Sequence, residues 1–98
     1  EPDPLSHGLL TYALALAARV DRGTLSAEEA SRLSAAMRAD IDSAKGRLAE
    51  ESGGPDAMLR WWAAHWRERG DRYAGTAAAP VRCEVTPGKD GRSRIGCL

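Results

Sequence analysis

Few residues of this chain combine the type and the spacing that catalysis requires. Ser6 and His7 are adjacent, and adjacent residues of a helix do not face each other, so they cannot form a nucleophile–base pair. Asp40 and Asp42 are two residues apart on a predicted helix and point in different directions, which excludes a carboxylate dyad. We find no phosphate-binding loop, nucleophile elbow or paired metal-ligand motif. We therefore expect no catalytic residue, no cofactor and no metal site.

Two cysteines, Cys83 and Cys97, lie on either side of a turn-like segment. Two cysteines fit one disulfide, and this pattern is typical of an oxidising compartment. In the chain-entropy model, closing a loop of about 15 residues stabilises a fold by roughly 3 kcal/mol. We predict a Cys83–Cys97 disulfide and a periplasmic or secreted location. Two unpaired thiols in a cytosolic protein are the alternative.

The three tryptophans all lie in one short segment. On a helical wheel Trp62 and Trp66 share the face that periodicity assigns to the core, while Trp61 lies about 100° away, beside His65 and Arg72. An accessible Trp with Arg neighbours is typical of interface hot spots. Trp61, His65 and Arg72 are therefore candidates for binding a partner. The alternative is that Trp61 covers an edge of a core that lacks phenylalanine.

The charges balance over the chain but not along it. The 98 residues include 14 Lys and Arg and 14 Asp and Glu, with a net charge of −3 over residues 1–54 and +3 over residues 55–98. A balanced total argues against a protein that binds nucleic acid through bulk electrostatics. Asn and Gln are absent, and these are the usual readers of adenine. We expect no nucleic-acid partner, although the second half would suit an anionic one.

The first predicted helix, residues 4–22, is apolar around much of its circumference. Leu10, Leu14 and Ala17 form a second stripe beside the stripe expected to face the core. Such a helix is central in its bundle or uses the extra face for a partner. That face would also suit the pairing of two copies of the chain. Its apolar run is too short to span a bilayer, so we predict no transmembrane segment.

Clear start and stop signals outline the remaining elements. Ser26 and Glu29 form a capping-box pattern, so residues 4–50 are predicted to form a helical hairpin. The strongest helix-breaking segment is the Ser-Gly-Gly-Pro run at residues 52–55. A third helix is predicted after it, over residues 55–75.

The last residues of the sequence are predicted to form a β-hairpin. An Ala-rich connector at residues 76–80 leads to two segments with β-branched residues, which flank turn residues at positions 86–91. The disulfide would then close a hairpin over residues 80–98. We predict one all-α domain over residues 1–98, a small three-helix bundle with a short disulfide-closed C-terminal hairpin.

These observations favour a binding protein over an enzyme. The scarcity of Phe, Asn, Lys and Ile indicates a GC-rich, bacterial genome. We expect an exported, non-catalytic accessory or interaction protein of the cell envelope that binds a protein partner through an apolar or Trp/Arg surface. The first alternative is an inhibitor or immunity-type protein whose hairpin loop presents Lys89, Arg92 and Arg94 to an acidic cleft. The second is a small helical enzyme or carrier that binds an anionic ligand through arginines of the third helix. No motif identifies a family.

Overall fold

Three helices and a hairpin make up the described parts of the protein. The computed structural model describes residues 3–48, 54–75 and 80–98. The elements are α1 (Pro4–Asp21), α2 (Ala27–Leu48), α3 (Gly54–Arg69), a 3-10 helix (Gly70–Tyr73), β1 (Cys83–Pro87) and β2 (Ser93–Cys97). They confirm the predicted fold class of three helices followed by a disulfide-closed hairpin. The predicted helix end at residue 50, residues 52 and 53 of the predicted break, and residues 76–79 of the connector lie outside the described residues.

Local hydrogen bonds explain where α1 and α2 begin. The Asp3 carboxylate accepts a hydrogen bond of 2.9 Å from the Ser6 N–H and so caps the start of α1. The Ser26 hydroxyl accepts one of 3.1 Å from the Glu29 N–H at the start of α2. Between the two helices Gly23 adopts a φ of +76°, a conformation that glycine reaches without a Cβ clash.

The core lies where the inner faces of the helices meet one face of the hairpin. Trp62 is fully buried and Trp66 nearly so, which confirms the core placement predicted from the helical wheel. Neither indole N–H has a hydrogen-bond acceptor among the described residues, so both rings act as apolar filling in a chain without phenylalanine. The largest fully buried side chains are Trp62, Tyr12, Tyr73, Leu5, Leu16, Met37, Ile41 and Val81.

A glycine allows α1 to approach the Trp62 ring. A Cβ atom at Gly8 would lie 2.8 Å from an atom of that ring and 2.9 Å from Cδ1 of Ile95. Both distances are shorter than normal van der Waals contacts, so a side chain at position 8 would force the ring or the helix to move. Gly8 is therefore the point at which α1, α3 and β2 meet.

The third helix changes its geometry before it ends. The predicted helix over residues 55–75 is α-helical to Arg69 and continues as a 3-10 turn that ends at Tyr73. The tighter turn buries the Tyr73 side chain. The Tyr73 carbonyl accepts a hydrogen bond of 2.7 Å from the hydroxyl of Tyr12, which ties this turn to α1.

The hairpin is joined across its strands and held against the helices. Cys83 pairs directly with Cys97 in the antiparallel register, and the predicted disulfide joins them. β1 extends to Pro87, two residues into the predicted turn at positions 86–91, whereas β2 begins at Ser93, beyond that turn. β1 packs against α3, and β2 packs against α1. The buried Arg19 of α1 donates a hydrogen bond of 3.1 Å to the Pro80 carbonyl, which fixes the chain just before the hairpin.

Two glycine substitutions in helices should have opposite effects on stability. Gly8→Ala should lower the free energy of unfolding by about 1–3 kcal/mol, because the methyl group overpacks the buried Trp62 ring. Gly46→Ala should raise it by about 0.5–1 kcal/mol, because a Cβ there meets no atom within 4 Å and alanine favours the helix. Urea unfolding of both variants measures the two effects. A stabilising Gly8→Ala would contradict the close packing described above.

Candidate functional site

The first candidate site is a polar cluster between α2, α3 and the 3-10 helix, formed by Asp40, His65 and Tyr73. The Tyr73 hydroxyl donates a hydrogen bond to Oδ2 of Asp40. Nε2 of His65 lies 3.3 Å from the same carboxylate oxygen and also contacts the Tyr73 hydroxyl. One carboxylate oxygen therefore holds side chains from two other elements.

The three predicted partner-binding residues of the third helix region gather around this polar cluster. The Trp61 ring stacks on the His65 imidazole, with centroids 4.4 Å apart and planes 16° apart. Nη1 of Arg72 lies 3.8 Å from Oδ2 of Asp40, and its guanidinium carbon lies 5.9 Å from the centroid of the Tyr73 ring. Trp61 is half-buried and packs against the core, so much of its ring is used within the fold.

The electrostatics of the polar cluster favour a charged Asp40. Partial burial acts to raise the pKa of Asp40, but hydrogen bonds from Tyr73 and His65 and the charge of Arg72 outweigh it and hold that pKa below its usual range. Burial and the hydrogen bond to Asp40 raise the pKa of Tyr73. Asp40 is thus a stable acceptor and Tyr73 a stable donor at neutral pH.

The polar cluster connects α2, α3 and the 3-10 helix through hydrogen bonds between side chains. The side chains of His65 and Asp40 are 14% and 26% exposed, and their polar atoms are directed at each other and at Tyr73. A general acid or base must instead reach a substrate atom. Such mutual hydrogen bonds stabilise the contact of α2 with α3 and with the 3-10 helix.

The second candidate site is the outer face of α1, defined here as His7, Leu10, Leu14, Ala17 and Asp21. These residues recur at spacings of three and four, and all five are exposed. Leu10 is 58% exposed and Leu14 is 62% exposed. The second apolar stripe predicted for the first helix therefore faces away from the core. Contiguous exposed apolar residues of this kind mark interaction sites on many proteins.

A groove of about 660 Å³ runs between α1 and α2 beside this outer face. Small side chains form most of its walls, so that another helix could approach both helices closely. The alanines that line the groove are Ala13, Ala17, Ala27, Ala30, Ala35 and Ala39. Asp21, Arg38 and Asp42 supply charge at its edges.

The loop between β1 and β2 is held by its own hydrogen bonds. The Gly88 N–H donates to the Arg92 carbonyl at 2.6 Å, and the Asp90 carboxylate accepts a hydrogen bond from the Arg92 N–H at 3.1 Å. Asp90 also accepts one from Nη2 of Arg94 at 3.2 Å. Lys89, Arg92 and Arg94 are all exposed, as an interaction loop requires, and the charge of Arg94 is offset by Asp90.

Carboxylates also lie close to this basic loop. A cleft of about 720 Å³ separates the loop from the starts of α1 and α3, and it is lined by Arg92 and Arg94 together with Asp3 and Asp56. Asp3 is bound by Lys45, with Nζ 3.2 Å from the carboxylate. The mixed charge of the cleft makes the loop less suited to an acidic partner than its sequence predicts.

Sequence reasoning missed the central residue of the polar cluster. Asp40 was considered with Asp42, whereas its partners His65 and Tyr73 lie 25 and 33 positions along the chain. The sequence does contain one indication of this role. Asp40 directly precedes Ile41, a core residue of the same helix. A carboxylate beside the core is partly buried and therefore needs hydrogen-bond donors.

Comparison with protein-family models, with curated protein sequences and with solved structures finds no match for this chain. Among the described residues, no three His, Cys, Asp or Glu side chains are grouped closely enough to hold a metal ion. Within the same residues, none of the helices has the length and apolar character needed to cross a membrane.

Removal of the Asp40 charge should change stability in a way that depends on pH. The lowered pKa of Asp40 means that its charge stabilises the fold above the ordinary Asp value of about 4, and this contribution is lost as pH falls. Asp40→Asn should cost about 1–3 kcal/mol at neutral pH, because a charge-assisted hydrogen bond is weakened. Its loss of stability on acidification should be smaller than that of the unmodified chain.

Urea unfolding at neutral and acidic pH measures both effects. Asp42→Asn is the matched control, since Asp42 is exposed two residues further along the same helix. If Asp40→Asn and the unmodified chain lost equal stability on acidification, the polar cluster would not have the role described here.

Proposed function

We propose that the protein is an exported, non-catalytic interaction protein of the bacterial cell envelope that binds a protein partner through the outer face of α1. The exposure of Leu10 and Leu14, both more than half accessible in the middle of an ordered helix, is the observation that carries this proposal. Each would gain free energy by leaving water, on the order of 1 kcal/mol or more for a leucine that becomes fully covered.

The outer face of α1 suits a protein partner better than the Trp/Arg surface does. Trp61 already stacks on His65 and packs against the core, so it offers less area for a new contact. Leu10 and Leu14 are instead 58% and 62% exposed. The alanine-lined groove beside them gives a partner helix a surface with few bulky side chains to displace.

The Cys83–Cys97 disulfide supports export. A cross-strand disulfide stabilises a two-stranded hairpin that would be marginal alone, and such bonds persist in oxidising compartments. The absence of catalysis is proposed because the best-placed acid–base groups, Asp40 and His65, are engaged with each other and with Tyr73.

A second candidate function rests on the order of the hairpin loop. The turn is held by hydrogen bonds at both ends and presents Lys89 and Arg92 to solvent, as the loop of an inhibitor would. Asp90 and the carboxylates of the adjoining cleft reduce its positive charge, so we rank this function below binding through α1.

Photo-crosslinking in the cell that makes the protein tests the proposal. A photoreactive amino acid in place of Leu14 should form an adduct with a protein on illumination, because that side chain lies within the proposed interface. The same amino acid in place of Glu68, which is exposed on α3, is the matched control. Mass spectrometry of the recovered chain should also find Cys83 and Cys97 oxidised.

The possible outcomes separate the parts of the proposal. An adduct at position 14 no stronger than that at position 68 would contradict binding through α1. A third variant with the photoreactive amino acid in place of Lys89 would favour the inhibitor function if it formed an adduct and the Leu14 variant did not. Two free thiols in the chain recovered from its native compartment would contradict export, whatever the adducts show.

A further inference from the structure

The spacing of the outer face matches a known mode of helix pairing. His7, Leu10, Leu14, Ala17 and Asp21 follow the alternation of three and four residues that defines the contact seam of a two-helix coiled coil. In α1 this seam is exposed along its whole length, while the opposite side of the helix is buried in the core. The seam is about 21 Å long at 1.5 Å per residue. Its spacing therefore suits a second helix of similar length.

The two ends of the seam carry different polar groups, an imidazole and a carboxylate, and this indicates the orientation of the second helix. His7 lies at the start of the seam and Asp21 at its end, and both are exposed. An antiparallel copy of α1 would place its Asp21 opposite His7 and its His7 opposite Asp21. A parallel copy would instead place the two Asp21 carboxylates side by side, which is unfavourable.

The sizes of the side chains agree with the same arrangement. With the symmetry axis near Leu14, the two Leu14 side chains meet, and each Leu10 faces Ala18 of the second copy. Ala18 is small and exposed, so it leaves room for the leucine. A two-fold interface requires one patch that carries both the projecting and the receiving side chains, and Leu10 together with Ala18 beside the outer face supplies both.

From these observations we infer that the partner of the outer face is a second copy of this chain, with two α1 helices packed antiparallel about Leu14. This inference rests on the proposed function, since it names the partner of the same surface. Stable complexes bury about 1,200 Å² or more in total, which exceeds what one short helix pair supplies. The small residues of α2 along the groove, such as Ala35 and Ala39, would add area to the contact.

Sedimentation equilibrium of the 98-residue chain over a series of concentrations tests the inference. The unmodified chain should show a reversible monomer–dimer equilibrium. Leu14→Glu should weaken the dimer by about 100-fold, because it brings two carboxylates together at the symmetry axis. Leu98→Glu, at a leucine 85% exposed outside α1, should have no effect.

A charge exchange tests the antiparallel orientation. Asp21→Lys should weaken the dimer, since it removes the carboxylate that faces the His7 imidazole. Combining it with His7→Asp should restore dimerisation, because opposite charges again face each other. Circular dichroism of each variant confirms that the helices are intact. Failure of the double variant to recover would contradict the antiparallel arrangement.

Sedimentation and photo-crosslinking together distinguish a failure of the dimer inference from a failure of the proposed function. A chain that stays monomeric at all concentrations, together with a Leu14 photo-adduct to a different protein, would overturn the second copy as partner and leave binding through α1 in place. A monomer without any adduct at Leu14 would overturn both. An equal effect of Leu14→Glu and Leu98→Glu on the dimer would place the interface outside α1.

Discussion

The packing of the Trp62 ring on the backbone of α1 at Gly8 is the contact on which the rest of the structure depends. Ile95 of β2 meets the same point, so three separate parts of the sequence converge there. Close-packed interiors do not tolerate an added methyl group without a shift of neighbouring atoms. This contact therefore fixes the rotation of α1 about its own axis, and that rotation decides which residues of the helix face the core.

The rotation of α1 also decides which of its leucines remain accessible. With Gly8, Tyr12 and Leu16 turned inward, Leu10 and Leu14 are left on the outside. The hairpin and α3 cover the inner side of this helix, while its outer side remains exposed. The disulfide joins β2 to β1 and so helps to hold β2 against the inner face of α1. One face of α1 thus packs into the core, and the other is the face that we propose binds a partner.

Much of the fold could be predicted because its signals are local. Caps, glycines and periodicity indicated the helices, and the two cysteines predicted the cross-link between the arms of the hairpin. The polar cluster could not be predicted, since it depends on the change to a 3-10 turn that buries Tyr73 and on its hydrogen bond to Asp40, 33 residues away. The spacing of Leu10 and Leu14 suggested a second apolar face, but spacing alone cannot decide whether another element covers it.

The central claim is that the inner face of α1 maintains the fold while the outer face binds a second copy. Nuclear magnetic resonance spectra of the isotope-labelled chain at increasing concentrations test it most directly. We predict that backbone amide signals of Leu10, Leu14 and Ala18 shift with concentration while the indole signals of Trp62 and Trp66 do not. Signals that stay constant everywhere, or shifts centred on the tryptophans instead of on α1, would contradict the account.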